Sequence, residues 1–390
     1  MVSLRPLLRS VRNGGRRAGA AAFERLVRVA AATAAPRSGA GVAADPASIF
    51  VLRNNDIGDL LIVTPLFEAL RRRFPAAHLA AGVGSWNLDV LAGNPHLSEV
   101  LPVNAHWFNK YQARTGPWGR WRYLLRSPEV RTLAARRFEL GIDVLGSAWG
   151  ALLLLRAGVP CRLGIRGYAG GESGFSQSLE FDPNLQVGRS ALRFAELLGA
   201  RELPPCRPQL FLDPEEKEAG ERAWAEREPD GRRQTRILIG PGGGLEAKRW
   251  PAERFEELVR RLPETVSSSL TSLLVLGGPG EEELVARVAA AHPRAWKPPS
   301  PPGLRAVFGL VQACDVAVCN SSMLLHAAAA FARPSVVLLG PSFPSARRHQ
   351  AQWGYPDLSR SLGREAESGD RLTPVEEALA AVRTELARLG

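Results

Sequence analysis

Cysteine is scarce in this chain of 390 residues, which holds four: Cys161, Cys206, Cys314 and Cys319. They form no C-x-x-C pair and no zinc-like spacing, which excludes a disulfide scaffold or zinc ribbon and suits a reducing compartment. Long apolar runs are also missing. The uncharged run 144–155 is too short to span a bilayer, and the run 316–332 is interrupted by Asn320, two serines and His326. No apolar signal-peptide segment appears near the start. These absences lead to the expectation of a cytoplasmic protein. G-x-G-x-x-G is absent after the strands where a dinucleotide would need it, as is the G-x-x-x-x-G-K-[ST] of a P-loop.

Acidic residues are in short supply, 39 against 50 Lys and Arg, for a net charge of +11. The excess is concentrated. Residues 1–45 carry arginines 5, 9, 12, 16, 17, 25, 28 and 37 against Glu24 and Asp45, so 8 − 2 = +6. A faint apolar stripe runs through Phe23, Leu26, Val27 and Ala30. Two readings stand side by side: a disordered leader, and a basic helix resting on an anionic membrane surface. An Arg-rich transit peptide also fits. Nucleic acid is disfavoured as a partner, because aromatics do not interleave with the arginines.

What the chain does have is length for two domains, 45% hydrophobic residues, and a regular alternation. Short apolar strands at Ile49–Leu52, His78–Val83, Glu99–Val103 and Leu140–Leu145 alternate with amphipathic helices. Residues 104–121 and 164–178 read as loops. Pro204, Pro205 and Pro208 mark a boundary. A second series follows, with strands at Arg236–Gly240, Leu270–Leu276, 316–319 and 335–339. Thr373-Pro374-Val375-Glu376 resembles a capping box opening a tail helix. The expected class is α/β, two Rossmann-like doubly wound domains facing a cleft. The expected boundaries are a leader 1–45, domains 46–212 and 213–345, and a tail 346–390.

Three motifs sit at expected strand ends. In R-N-N-D-I-G-D-L-L-I-V-T-P (53–65) a buried strand ends in two carboxylates, Asp56 and Asp59, around Gly58, although a turn needs only the glycine. Thr64-Pro65 should kink any helix begun at Gly58. In G-P-G-G-G-L-E-A-K-R-W-P (240–251), Gly242, Gly243 and Gly244 would let backbone amides approach an anion, and Lys248 adds a point charge. In C-N-S-S-M-L-L-H (319–326), Ser321 and Ser322 open a helix with His326 one turn in. The plain alternative there is an N-capped core helix with a satisfied buried histidine.

Four segments, D-I-G-D-L-L-I-V-T-P-L-F-E-A-L-R-R-R-F-P, K-R-W-P-A-E-R-F-E-E-L, L-V-L-G-G-P-G-E-E-E and N-S-S-M-L-L-H-A-A-A-A, fall in the order seen in glycosyltransferase family 9. The resemblance covers roughly residues 48–345. It implies a GT-B fold with acceptor in the first half and a nucleoside-diphosphate sugar in the second, ADP-heptose being favoured. It implies inverting transfer to a glycolipid or oligosaccharide acceptor of the cell envelope, with no cofactor and no essential metal; the basic leader, read as a membrane-surface helix, would add a place at the inner face of the cytoplasmic membrane. By the same resemblance Asp59 is the base and Gly58 and Arg53 lie on the acceptor side. Gly242, Gly243, Gly244, Lys248, Ser321, Ser322 and His326 hold the donor and its phosphates. Asp56 matches no family acid and reads as a turn residue. One departure stands out: where the family carries Asp-[Ser/Thr]-Gly ahead of the helix histidine, this chain has Ser321-Ser322-Met323. A protein that kept the fold as a glycan binder, or an NAD-linked oxidoreductase, are the rival readings.

Overall fold

In the computed structural model, residues 24–32, 45–113, 115–228, 231–266, 271–363, 365 and 372–389 are described. The first half contains β1 (Ser48–Leu52), β2 (His78–Val83), β3 (Glu99–Pro102), β4 (Leu140–Asp143), β5 (Cys161–Arg166) and β6 (Gln177–Glu180). They form one parallel sheet in the order β3-β2-β1-β4-β5-β6. Four of the five residues of β1 are fully buried, as a parallel strand covered on both faces requires. The second half contains β7 (Thr235–Gly240), β8 (Thr271–Val275), β9 (Ala295–Trp296), β10 (Val316–Cys319), β11 (Ser335–Leu338) and β12 (Ser359–Leu362). Its order, β12-β11-β10-β7-β8-β9, is the same topology read from the other edge. Each half is therefore a doubly wound sheet. Its chain reversal lies between the first and fourth strands, where such folds hold ligands.

Several expectations shift. Residues 164–178 are not one loop: they include the end of β5 and the start of β6, whose C-R-L-G-I-R and Q-S-L-E sequences give weak strand signals near a sheet edge. Part of 104–121 forms the helix Pro117–Arg126. The second sheet runs past residue 345, because β12 is its edge strand and the helix Val375–Ala387 packs into its core. Thr373 forms no capping box there. Pro374 occupies the cap position with no side-chain bond, and the Thr373 carbonyl accepts from Trp250 and Arg254 instead. At Thr64-Pro65 the chain goes beyond the expected kink: one helix spans Ile57–Leu61, a turn follows, and a second helix spans Pro65–Arg73.

Part of the basic leader is docked. A helix at 24–32 buries Val27 completely among the side chains around Trp149 and Ala151. Glu24 accepts the amides of Gly171 and Ser173 at 2.9 and 2.7 Å. Leu26 of the expected stripe is instead 46% exposed, and Phe23 lies outside the described residues. A single buried cluster runs through both halves, from Phe67 and Leu79 to Leu238 and Leu325. Among the described residues no helix is long and apolar enough to cross a membrane.

Candidate functional site

β1 ends at Leu52, and the four residues after it build one wall of the cleft. Asp56 stands at the cap position of the helix Ile57–Leu61 but caps nothing. Its Oδ1 accepts the Lys110 amide at 3.1 Å instead. The side-chain Nδ2 groups of Asn54 and Asn55 donate to the carbonyls of Trp107 and Phe108 at 3.4 and 2.8 Å. The loop carrying Lys110 is thus tied to the strand end. Trp86 and Asn87 both donate to the Asn55 carbonyl at 2.9 Å, and Tyr111 stacks on Trp86 with ring centroids 4.9 Å apart. Burial pushes the Asp56 carboxyl above its ordinary range. Lys110 and, from the second half, Lys248 oppose that shift, and Asp59 adds to it. Asp56, Asp59, Lys110 and Lys248 therefore share one electrostatic site.

Asp59 is a third exposed, and its carboxylate lies 3.6 Å from the buried Arg53 guanidinium. Arg53 Nε also donates to the Asp59 carbonyl at 3.0 Å. Arg53 was expected to face an acceptor. It is 5% exposed and is engaged by Asp59, so it positions that acid rather than meeting an acceptor directly.

The opposite wall starts where β7 ends at Gly240. Buried Asn320 accepts the Trp250 amide at 2.8 Å and donates to the carbonyls of Pro241 and Gly242 at 2.7 and 3.0 Å. This fixes the path of the glycine loop. Its amides are not all available. Gly243 donates to Glu281 at 2.8 Å, as does Gly278, and Arg249 pairs with the same carboxylate at 3.0 Å. A Cβ on Gly242 would lie 2.0 Å from Glu281 Oε2, so that glycine makes room for a carboxylate of its own chain. The expectation that the 242–244 amides together cradle an anion is corrected on this point. Gly244 remains exposed, and Lys110 Nζ lies 3.2 Å from where its Cβ would be, so a first-half cation reaches over the second-half loop. Lys248 is exposed, its loop held by Gly340 and Ser342 amides donating to the Lys248 and Ala247 carbonyls at 3.2 and 3.0 Å.

Ser322 caps the helix Met323–Ala330, accepting the Leu324 amide at 3.4 Å. His326 does not lie open beside a diphosphate. It is buried, its Nδ1 is 2.7 Å from the Tyr355 hydroxyl, and burial pulls its pKa down to about 3. Its ring edge fills the space over Gly58, where a Cβ would come within 3.1 Å of Cδ2. Gly58, expected to admit an acceptor, instead lets the helices Ile57–Leu61 and Met323–Ala330 cross closely. Ser321 Oγ is 2.8 Å from Nε2 of His349, a buried histidine in the helix Ala346–Trp353. Sequence reasoning missed His349, Lys110 and Tyr355, none of which belongs to a local pattern. Glu281 lay inside a quoted motif but had no visible partner. At the carboxyl ends of β8 and β9 a small open cavity is lined by Val275, Gly277, Gly278, Lys297, Pro298 and Pro301. Among the described residues no three His, Cys, Asp or Glu side chains gather as an ion site.

The site thus gathers two acids, Asp56 and Asp59, with two cations, Lys110 from the first half and Lys248 from the second. That arrangement suits moving a group off an anionic leaving group onto a hydroxyl. Comparison with known proteins agrees. The family model described as glycosyltransferase family 9 (heptosyltransferase) matches residues 129–355, more than half of the chain. Lipopolysaccharide heptosyltransferase 2 of Salmonella typhimurium is 26% identical over 315 residues, covering 76% of this chain and 83% of that relative. A solved glycosyl transferase family 9 structure from Veillonella parvula superposes with a TM-score of 0.71 at 19% identity, over 88% of this chain and 98% of that one. The E. coli ADP-heptose lps heptosyltransferase II structure gives 0.65 at 22% identity, over 88% and 99%.

Proposed function

Because this chain belongs to glycosyltransferase family 9, the heptosyltransferase family, we propose that it transfers a heptose, with inversion, from ADP-heptose to a lipopolysaccharide-core acceptor. The observation that carries this reading is that the acids after β1, Asp56 and Asp59, stand beside Lys110, whose Nζ reaches Gly244 on the loop that also carries Lys248. Asp59 takes the proton of an acceptor hydroxyl as its oxygen bonds to the anomeric carbon. The bond from that carbon to the phosphate oxygen breaks on the opposite face, and ADP leaves with the electron pair. Lys248 and Lys110 balance charge on the departing diphosphate, with the exposed Gly244 amide and the start of the helix Met323–Ala330 as further donors. On this reading the nucleobase side of the donor site is the recess between Gly277–Gly278 and Lys297–Pro301. The likeness to lipopolysaccharide heptosyltransferase 2 of Salmonella typhimurium and to the E. coli ADP-heptose lps heptosyltransferase II supports both donor and acceptor class.

The acceptor is a lipid-anchored glycan on this reading, and the first half has a surface suited to an anionic membrane. Along the helix Pro117–Arg126, Trp118 is 87% and Leu125 58% exposed, with exposed Arg122 on the same face. The docked helix 24–32 presents Arg25, Leu26, Arg28 and Val29 outward. Both helices pack on the same buried layer around Trp149. Aromatic and aliphatic side chains set among arginines favour the headgroup region of a bilayer on its cytoplasmic side.

The test is direct. Incubated with ADP-heptose and a truncated lipopolysaccharide core, the enzyme should add one heptose mass per ADP released, in the inverted configuration. Transfer from a different nucleotide sugar, with none from ADP-heptose, would overturn the donor assignment.

A further inference from the structure

Ser321 stands where the resemblance would place a carboxylate, and its proton can be traced from a backbone amide. The Ser361 N–H donates to Gln350 Oε1 at 2.8 Å, while Gln350 Nε2 donates to the Ser359 carbonyl at 2.9 Å. Those two backbone groups fix which end of the Gln350 amide is oxygen. Ser361 Oγ also lies 2.8 Å from that Oε1, an atom that only accepts, so Ser361 must donate its single hydroxyl proton there. Ser361 Oγ can then only accept from His349, whose Nδ1 is 2.8 Å away. The His349 proton is therefore on Nδ1. Burial pulls the pKa of this ring down to about 4, and Lys248 acts in the same direction, so the ring is neutral and Nε2 carries a lone pair. Ser321 Oγ, 2.8 Å from Nε2, gives its proton to that lone pair.

The consequence is chemical. A serine hydroxyl normally donates and accepts, but this one has no proton left to offer. Ser321 sits half-exposed at the carboxyl end of β10 and presents lone pairs only. Diphosphate oxygens are acceptors and find no partner in it. A sugar hydroxyl does. Resting on the donor reading above, we propose that Ser321, polarised by His349, selects the donor by accepting a hydrogen bond from a hydroxyl of its sugar. The Ser361–His349–Ser321 chain thereby makes a neutral hydroxyl an obligate acceptor, as the absent carboxylate would be. His349 is a positioning residue in this arrangement.

The proposal is tested on the full-length protein by calorimetry and NMR. Ser321→Ala should weaken ADP-heptose binding about five- to tenfold, the worth of one hydrogen bond, while free ADP binds within about twofold of wild type. His349→Phe should weaken donor binding similarly, and the double variant should be no worse than Ser321→Ala, because both remove one interaction. Ser361→Ala, which leaves the His349 ring in place, guards against a folding defect in His349→Phe and should show a smaller loss. In the ligand-free protein, nitrogen shifts of His349 should report a protonated Nδ1 and bare Nε2. The opposite tautomer overturns the proposal, as does equal loss of ADP and ADP-heptose affinity in Ser321→Ala. If wild type binds no nucleotide sugar, the donor reading itself fails. If wild type binds the donor and Ser321→Ala binds it equally well, only the role of Ser321 fails.

Discussion

At Asp59 the structure offers a carboxylate backed by a buried guanidinium and open to the cleft on its other side. Asp59→Asn keeps the shape and the backbone bond to Arg53 but removes the proton acceptor. Transfer should fall by about 100-fold or more, with donor affinity nearly unchanged. Steady-state kinetics and calorimetry separate these. An Asn variant that turns over like wild type would mark Asp59 as a helix-start residue only. Lys248 is a different kind of residue: exposed, on a loop anchored by backbone bonds, and acting on Asp56 and His349 at a distance. Lys248→Ala should weaken ADP binding by about 2 kcal/mol, the range of a hydrogen bond to a charged group. Lys110 shares that charge from the other wall, so removing both lysines should cost more than removing Lys248 alone. Unchanged ADP affinity in Lys248→Ala would place the diphosphate elsewhere.

At the scale of elements, Ile57–Leu61 and Met323–Ala330 cross closely between the halves. Adding a Cβ at Gly58 brings it to 3.1 Å of the His326 ring, close enough that the ring must give slightly. Gly58→Ala should therefore be mild. Gly58→Val forces branched atoms into the same space and should cost about 1–3 kcal/mol, read as a lower midpoint in urea unfolding. Equal stability of the valine variant would show that the two helices separate readily. The exposed face of Pro117–Arg126 makes a separate prediction. Trp118→Ser with Leu125→Ser should reduce binding to phosphatidylglycerol vesicles and leave transfer to a detergent-free, lipid-free core oligosaccharide intact. Loss of both activities together would mean that the helix supports the fold rather than a membrane.

For the whole molecule, the continuous buried cluster couples the two halves, and two buried histidines make their joint stability depend on pH. His326 and His349 have pKa values near 3 and 4 in the folded protein, against an ordinary value near 6.5. The unfolded chain therefore binds protons that the folded one refuses as pH falls below about 6.5. Their stabilising contribution is complete above that pH. It declines through pH 6 and 5, at up to about 1.4 kcal/mol per pH unit for each ring, until the folded values are reached. Thermal melts from pH 7 to 5 should show this fall before most carboxylates titrate. His349→Gln should flatten it. A melting temperature independent of pH between 7 and 5 would contradict the burial of these rings.

How much of this was legible beforehand follows from the range of the forces involved. Apolar runs such as Ile49–Leu52 and 316–319 declared themselves as buried strands, and Thr64-Pro65 declared a kink where the helix in fact stops and restarts, because burial pattern and proline sterics act within a few residues. Glycines after a strand marked the loop that follows β7 in the same local way. The sequence by itself therefore determined two doubly wound halves and the strand ends that carry Asp59 and Lys248. It could not determine which side chains meet once those halves close. Glu281 taking the Gly243 amide, Lys110 reaching Gly244, His326 filling the space at Gly58 and His349 orienting Ser321 all join residues 28 to 268 positions apart. Hydrogen bonds and ring packing operate over about 3–4 Å of space, whatever the separation along the chain, so only the tertiary structure could decide them.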